Sequence, residues 1–102
     1  FFDYDSYVVR AEATPVIESH ARFLKANKQR KANLEGHTDE RGGREYNLAL
    51  GQKRADAVRQ ALSLLGVPEP QLEAISYGKE KPIMQGLSEA DLAKNRRVEI
   101  RY

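Results

Sequence analysis

Two residues near the middle of the chain have types that can act together on a charged ligand. Asp39 lies in a glycine-marked loop, Thr38-Asp39-Glu40-Arg41-Gly42-Gly43, and Arg54 follows on a long helical pattern. A carboxylate accepts from an ammonium, and a planar guanidinium grips a carboxylate through two parallel N–H bonds. The pair therefore suits a ligand that carries both charges at one end. The pattern around Arg54 gives the reason to place it at a site. Asn47, Leu50, Arg54, Val58, Leu62 and Leu65 recur three or four apart and share one helical face. A cation on an apolar stripe is costly unless an anion meets it, and the nearest carboxylates along the chain are Asp39 and Glu40. Asp39 and Arg54 are thus expected to face one another, with the first N–H groups of the helix after Gly43 as further donors. The same residues also allow a plainer arrangement, a structural ion pair with no ligand.

Other chemistries have less behind them. His37, Asp39 and Glu40 are clustered and His20 could lie near, but there is no His-x-x-x-His pair and no serine in a nucleophile-elbow context. The bland reading of His20 is a partly buried packing residue. Cysteine is absent, which removes thiolate metal sites and cysteine nucleophiles. No catalysis, cofactor or metal is expected. Gly42-Gly43 ahead of a helix could cradle a phosphate, yet Asp39, Glu40 and Glu45 would repel it. The net charge of +2 comes from Lys and Arg interleaved with Asp and Glu, and the basic positions lack interleaved aromatics, so nucleic acid is not expected as a partner.

The elements that must position these residues can be read in order. At 102 residues the chain supports one domain, 1–102, with one modest core. Phe1 to Tyr7 reads as a first strand from the alternation of Phe2 and Tyr4. Thr14-Pro15 is a helix start, threonine as N-cap and proline at N1, and Ile17, Ala21 and Leu24 mark a face to about residue 27. Lys31 to Glu35 alternates as a strand with one wet face. The central helix runs to Leu65, where Gly66 supplies a left-handed cap and Pro68 and Pro70 forbid continuation. Leu72 to Tyr77 is a third strand and 79–86 a loop. A short helix over about 88 to 95 starts at Ser88, and Arg97 to Tyr102 closes the chain as a strand with Val98, Ile100 and Tyr102 on one side and three charges on the other. The expected fold is α/β, a two-layer sandwich of order βαβαβαβ with helices on one face of a mixed four-stranded sheet. No stretch approaches the roughly 18 apolar residues of a membrane span, and a leader or anchor would lie outside this stretch.

Gly36-His37-Thr38-Asp39-Glu40-Arg41-Gly42, Glu45-Tyr46-Asn47-Leu48-Ala49-Leu50-Gly51 and Arg54-Ala55-Asp56-Ala57-Val58 resemble the signature of the OmpA-like peptidoglycan-binding domains. Within that family the likeness is nearest the peptidoglycan-associated lipoprotein subgroup. Tyr77-Gly78-Lys79-Glu80-Lys81-Pro82, Asn95-Arg96-Arg97-Val98-Glu99 and Phe2-Asp3-Tyr4-Asp5-Ser6 resemble its other motifs, so the likeness spans nearly the whole chain. Gly51 departs from the serine common in the wider family. The resemblance implies non-covalent binding of the peptidoglycan stem peptide through meso-diaminopimelate. Asp39 and Arg54 carry over as the principal contacts, Thr38, Asn47 and Leu50 as supports or lining, Tyr4 and Asp5 from the opening strand, and Arg97 as a border. It further implies a TolB-like periplasmic partner within the Tol-Pal envelope system. The implied place is the periplasmic side of the outer membrane of a Gram-negative bacterium, held through an N-terminal lipid anchor. The rival expectation is a protein-interaction domain for a TolB-type partner, in which Asp39 and Arg54 are purely structural.

Overall fold

Three helices and three strands follow one another along residues 1–102, all of which the computed structural model describes. They are α1 (Thr14–Ala26), β1 (Ala32–His37), α2 (Arg44–Leu64), β2 (Leu72–Gly78), α3 (Glu89–Asn95) and β3 (Val98–Arg101), with 3-10 turns at Ala11–Ala13 and Glu69–Gln71. The sheet order is β2-β1-β3, with β1 parallel to β2 and antiparallel to β3. Parallel neighbours need a crossover, and α2 is that crossover. Alternation along the strands sends Ala32, Leu34 and Leu72 inward, with Ala74, Val98 and Ile100 packed against them. Ile17, Ala21 and Leu24 of α1 and Ala55, Val58 and Leu62 of α2 complete the same core. Both long helices thus cover one face of the sheet, the expected two-layer α/β arrangement.

One contact sets how deep α2 lies. A Cβ added to Gly36 on β1 would come 1.9 Å from the carbonyl oxygen of Gly51, and one added to Gly51 would meet Ser76 Oγ at 2.3 Å. Helix and sheet backbones touch there because neither glycine has a side chain. Arg54, three residues past Gly51, is drawn into the interior and is fully buried.

The sheet has three strands where four were expected. The opening stretch, Phe1 to Tyr7, is not a strand because its carbonyls are engaged by side chains instead of a ladder. Arg96 Nε donates to Phe2 O at 2.8 Å, while Arg54 Nη2 and Nε donate to Asp3 O at 3.1 Å and Ser6 O at 2.7 Å. Between them Ser6 N–H closes a turn onto Asp3 O at 3.2 Å, and Asp5 takes a positive φ of 52°. Phe2 is buried in the core, but the backbone around it folds over two guanidinium groups.

Smaller differences are local. Thr14 is helical itself and does not cap α1; the 3-10 turn ahead of it already winds the chain, and Ala13 takes the cap position. Leu65 lies beyond α2 and is 37% exposed, so the apolar face ends at Leu62. Gly66 has the left-handed φ of 98°, and Ser88 caps α3 by accepting from Asp91 N–H at 3.2 Å.

Candidate functional site

The loop between β1 and α2 and the turn at Asp3–Ser6 meet at a small cleft. Its lining includes Tyr4, Asp5, Thr38, Asp39, Arg41, Asn47, Leu50 and Arg54. Seven of the eight residues singled out from the sequence are brought together there; Arg97 is not among them. Three elements converge: the end of β1 delivers Thr38 and Asp39, the first turns of α2 deliver Asn47, Leu50 and Arg54, and the N-terminal turn delivers Tyr4 and Asp5. Gly42, at φ 92°, reverses the chain so that α2 can start at Arg44. Asn47 holds that reversal by donating from Nδ2 to Arg41 O at 2.8 Å. Glu40, the other carboxylate considered for Arg54, is exposed and outside the lining.

The anion expected to meet Arg54 is absent from its contacts. Three backbone carbonyls meet it instead: Ser6 O at Nε, His37 O at Nη1 (3.0 Å) and Asp3 O at Nη2. Carbonyl dipoles solvate a guanidinium without the desolvation of a second charge, and the Phe2 ring lies 5.3 Å from its centre. Burial, with the Arg96 cation nearby, lowers Arg54 to a pKa of about 10, so it stays charged at neutral pH. A guanidinium has five N–H groups; with three on carbonyls, one on each terminal nitrogen is left over beside the cleft.

Asp39 is paired with other cations. Arg96 Nη1 donates to Oδ2 at 3.1 Å, and Arg41 donates from Nη2 to the same oxygen at 2.7 Å and from its backbone N–H to Oδ1 at 3.0 Å. Burial alone would raise the Asp39 pKa, but the hydrogen bonds from Arg41 and Arg96 outweigh it and hold the carboxyl below its ordinary value. The structural Asp39–Arg54 ion pair considered from the sequence does not form either. The two residues share a cleft, each with its own partners.

Arg96 is one of two residues on Asp39 that sequence reasoning missed. Its guanidinium is buried and joins Phe2 O, Asp39 and Glu89, the last at 2.8 Å. Arg97 points elsewhere, to Glu99 Oε2 at 2.7 Å, Lys81 O at 3.0 Å and Asn95 O at 3.3 Å. The signal was present in the strand period, because Arg96 shares the parity of Val98 and Ile100, whereas Arg97 shares that of Glu99 and Arg101. Arg41 was passed over as well, although Asp-x-Arg in a loop suits a turn in which the aspartate side chain accepts the N–H two residues on.

His37 lies outside the cleft. Its ring is 2% exposed, stacks on Tyr77 with centroids 5.5 Å apart, and has no hydrogen-bond partner at either nitrogen. Burial, then the Arg97 charge, pushes its pKa down to about 4. A neutral, unpartnered imidazole is a packing group. His20 stacks on Tyr102 and shares a hydrogen bond with its hydroxyl at the other end of the molecule, so the two histidines do not form a pair.

Against known proteins, residues 1–96 match the OmpA family. The chain is 52% identical over 101 residues to the peptidoglycan-associated lipoprotein of Pseudomonas aeruginosa, covering 99% of this chain and 60% of the relative. It is 47% identical to that of Pasteurella multocida, covering 100% of this chain and 68% of the relative. The chain therefore spans about three-fifths of the length of such relatives. Among solved structures it is similar to the peptidoglycan-associated lipoprotein from Burkholderia pseudomallei, with a TM-score of 0.96 and 55% identity, covering 98% of this chain and 85% of the other. It is also similar to the C-terminal domain of Helicobacter pylori MotB, with a TM-score of 0.89 and 30% identity over 99% of this chain and 79% of the other.

Proposed function

Because this chain belongs to the OmpA family, we propose that it is a non-catalytic module, residues 1–102, that holds the peptidoglycan stem peptide non-covalently by the free end of meso-diaminopimelate. Its relatives carry the name peptidoglycan-associated lipoprotein, and the chemistry of the cleft fits such a ligand. One observation carries the reading. Asp39, an ionised carboxylate, and Arg54, a guanidinium with uncommitted N–H groups, line the same small cleft without being paired to each other. The ligand ammonium then goes to Asp39 and its carboxylate to Arg54. Thr38, Asn47 and Leu50 shape the floor, and Tyr4 and Asp5 form the near wall. Arg97 takes no part, and Arg96 holds Asp39 in place.

In the cell the module would tether the outer membrane to the wall from the periplasmic side, through a lipid anchor on a longer chain. Association with a TolB-like partner in a Tol-Pal system is supported by the family relation alone. The direct test is co-sedimentation with purified peptidoglycan. Asp39→Asn keeps the side-chain size and removes the charge that meets the ammonium; because it also takes an anion from buried Arg96, its stability is measured beside its binding. A charge-assisted contact is worth about 1.5–3 kcal/mol, so the variant should bind roughly ten- to hundredfold more weakly. Undiminished sedimentation of Asp39→Asn would remove Asp39 from the site.

A further inference from the structure

The cleft is occupied by the protein itself. Its volume is about 40 Å³, and the Asp39 oxygen that a ligand ammonium would need is covered by the Arg41 guanidinium at 2.7 Å. One of the two cations on Asp39 is placed to move. Of the two cations on Asp39, Arg96 is buried and fixed at both ends by Phe2 O and Glu89. Arg41 instead reaches Asp39 from the solvent side, with its side chain 37% exposed. Its guanidinium lies over the Tyr4 ring at 3.9 Å and passes 3.8 Å from Glu89. The backbone of Arg41 is pinned independently: its N–H donates to Asp39 Oδ1 and its carbonyl accepts from Asn47. The side chain can leave without the loop unfolding.

We propose that Arg41 is a latch that takes, in the free protein, the place of the ligand cation on Asp39. Ligand entry is then an exchange of one cation for another on the same carboxylate. The Arg41 guanidinium swings off Asp39 and Tyr4, the ligand ammonium takes its position, and Asp39 stays neutralised throughout. The resting state is closed, and the apparent affinity is lowered by the fraction of time the latch is open. This rests on the reading of the cleft as the stem-peptide site.

The test is calorimetric titration of a stem tripeptide ending in meso-diaminopimelate into the wild-type protein, Arg41→Ala, Arg41→Gln and Arg41→Lys. Removing the latch should tighten binding about three- to tenfold in the Ala and Gln variants, while Lys, which keeps a cation on Asp39, should stay nearer the wild type. In the wild-type protein the nuclear Overhauser contact between the Arg41 guanidinium and the Tyr4 ring should vanish at saturation. Binding by Arg41→Ala and Arg41→Gln that is equal to or weaker than wild type, or persistence of that contact, overturns the latch and leaves the site reading standing. Binding by none of the four proteins overturns the site reading and the latch with it.

Discussion

Replacing Arg54 should cost the fold far more than a surface arginine would. Its guanidinium supplies donors to Asp3 O, Ser6 O and His37 O, and so joins the N-terminal turn to the end of β1. In Arg54→Ala Ser6 O and His37 O lose their side-chain donor, and Asp3 O keeps only the Ser6 N–H at 3.2 Å. A buried polar group left unsatisfied costs about 1–3 kcal/mol. Water entering the space left by the side chain recovers part of the sum, so a net loss of about 3–5 kcal/mol is expected. A domain of this size holds only about 5–15 kcal/mol in total, and each kcal/mol moves the midpoint of thermal unfolding by about 4–8 °C. Arg54→Ala should therefore melt at least 12 °C lower, on the order of magnitude set by those figures. Arg54→Lys keeps the charge but puts three donors on one nitrogen, too compact to span carbonyls held by different parts of a planar fork, and should recover less than half of the loss. The assay is urea denaturation at pH 7 with circular dichroism. A loss below about 0.5 kcal/mol for Arg54→Ala, the range of an ordinary surface substitution, would refute the view of Arg54 as the buried hub. It follows that lost peptidoglycan binding in an Arg54 variant is no evidence about the ligand unless stability is measured beside it.

Two other perturbations have clear signs. Gly51→Ser should destabilise by about 1–3 kcal/mol through overpacking, since its Cβ would meet Ser76 Oγ; Ser76→Ala in the same chain should restore part of that in a double-mutant cycle read by urea denaturation. His37 makes the fold acid-sensitive. Its folded pKa of about 4 lies below the ordinary 6.5, so the unfolded chain takes up the proton first. The contribution is full above pH 6.5 and falls as the pH drops towards 4, by about 3 kcal/mol at 1.36 kcal/mol per unit. His37→Phe should flatten that part of the stability–pH curve, and an unchanged slope between pH 6.5 and 4 would contradict it.

What could be read from the sequence was whatever depends on local period and local capping. The face of α2 from Asn47 to Leu62, the left-handed Gly66 and the Ser88 cap all follow from spacing and residue type, and the structure has them. The alternation in Arg97 to Arg101 even held the answer to which arginine turns inward, since Val98 and Ile100 face the core and Arg96 shares their parity. What local pattern could not give is where a backbone carbonyl finds its donor. Phe1 to Tyr7 has strand-like alternation, yet Arg54 and Arg96, 48 and 94 residues away, take its carbonyls. For the same reason the sequence points Arg54 towards a carboxylate, whereas carbonyls suffice. Side chains advertise their charge in a sequence, whereas backbone acceptors are everywhere and mark nothing. Seven of the eight expected residues line one cleft and Arg97 does not, and the bonds within the cleft differ from those the residue types suggest.

The central claim is that the cleft recognises an amino-acid terminus by both of its charges. It is tested most directly by comparing two stem peptides that differ only at the side-chain amine of meso-diaminopimelate, one free and one acetylated, in parallel titrations against the unmodified protein. The free amine should bind at least about tenfold more tightly, the loss expected when one charge-assisted contact worth about 1.5 kcal/mol or more is removed. Equal affinity for the two peptides would contradict the account, because Asp39 would then have no part in holding the ligand.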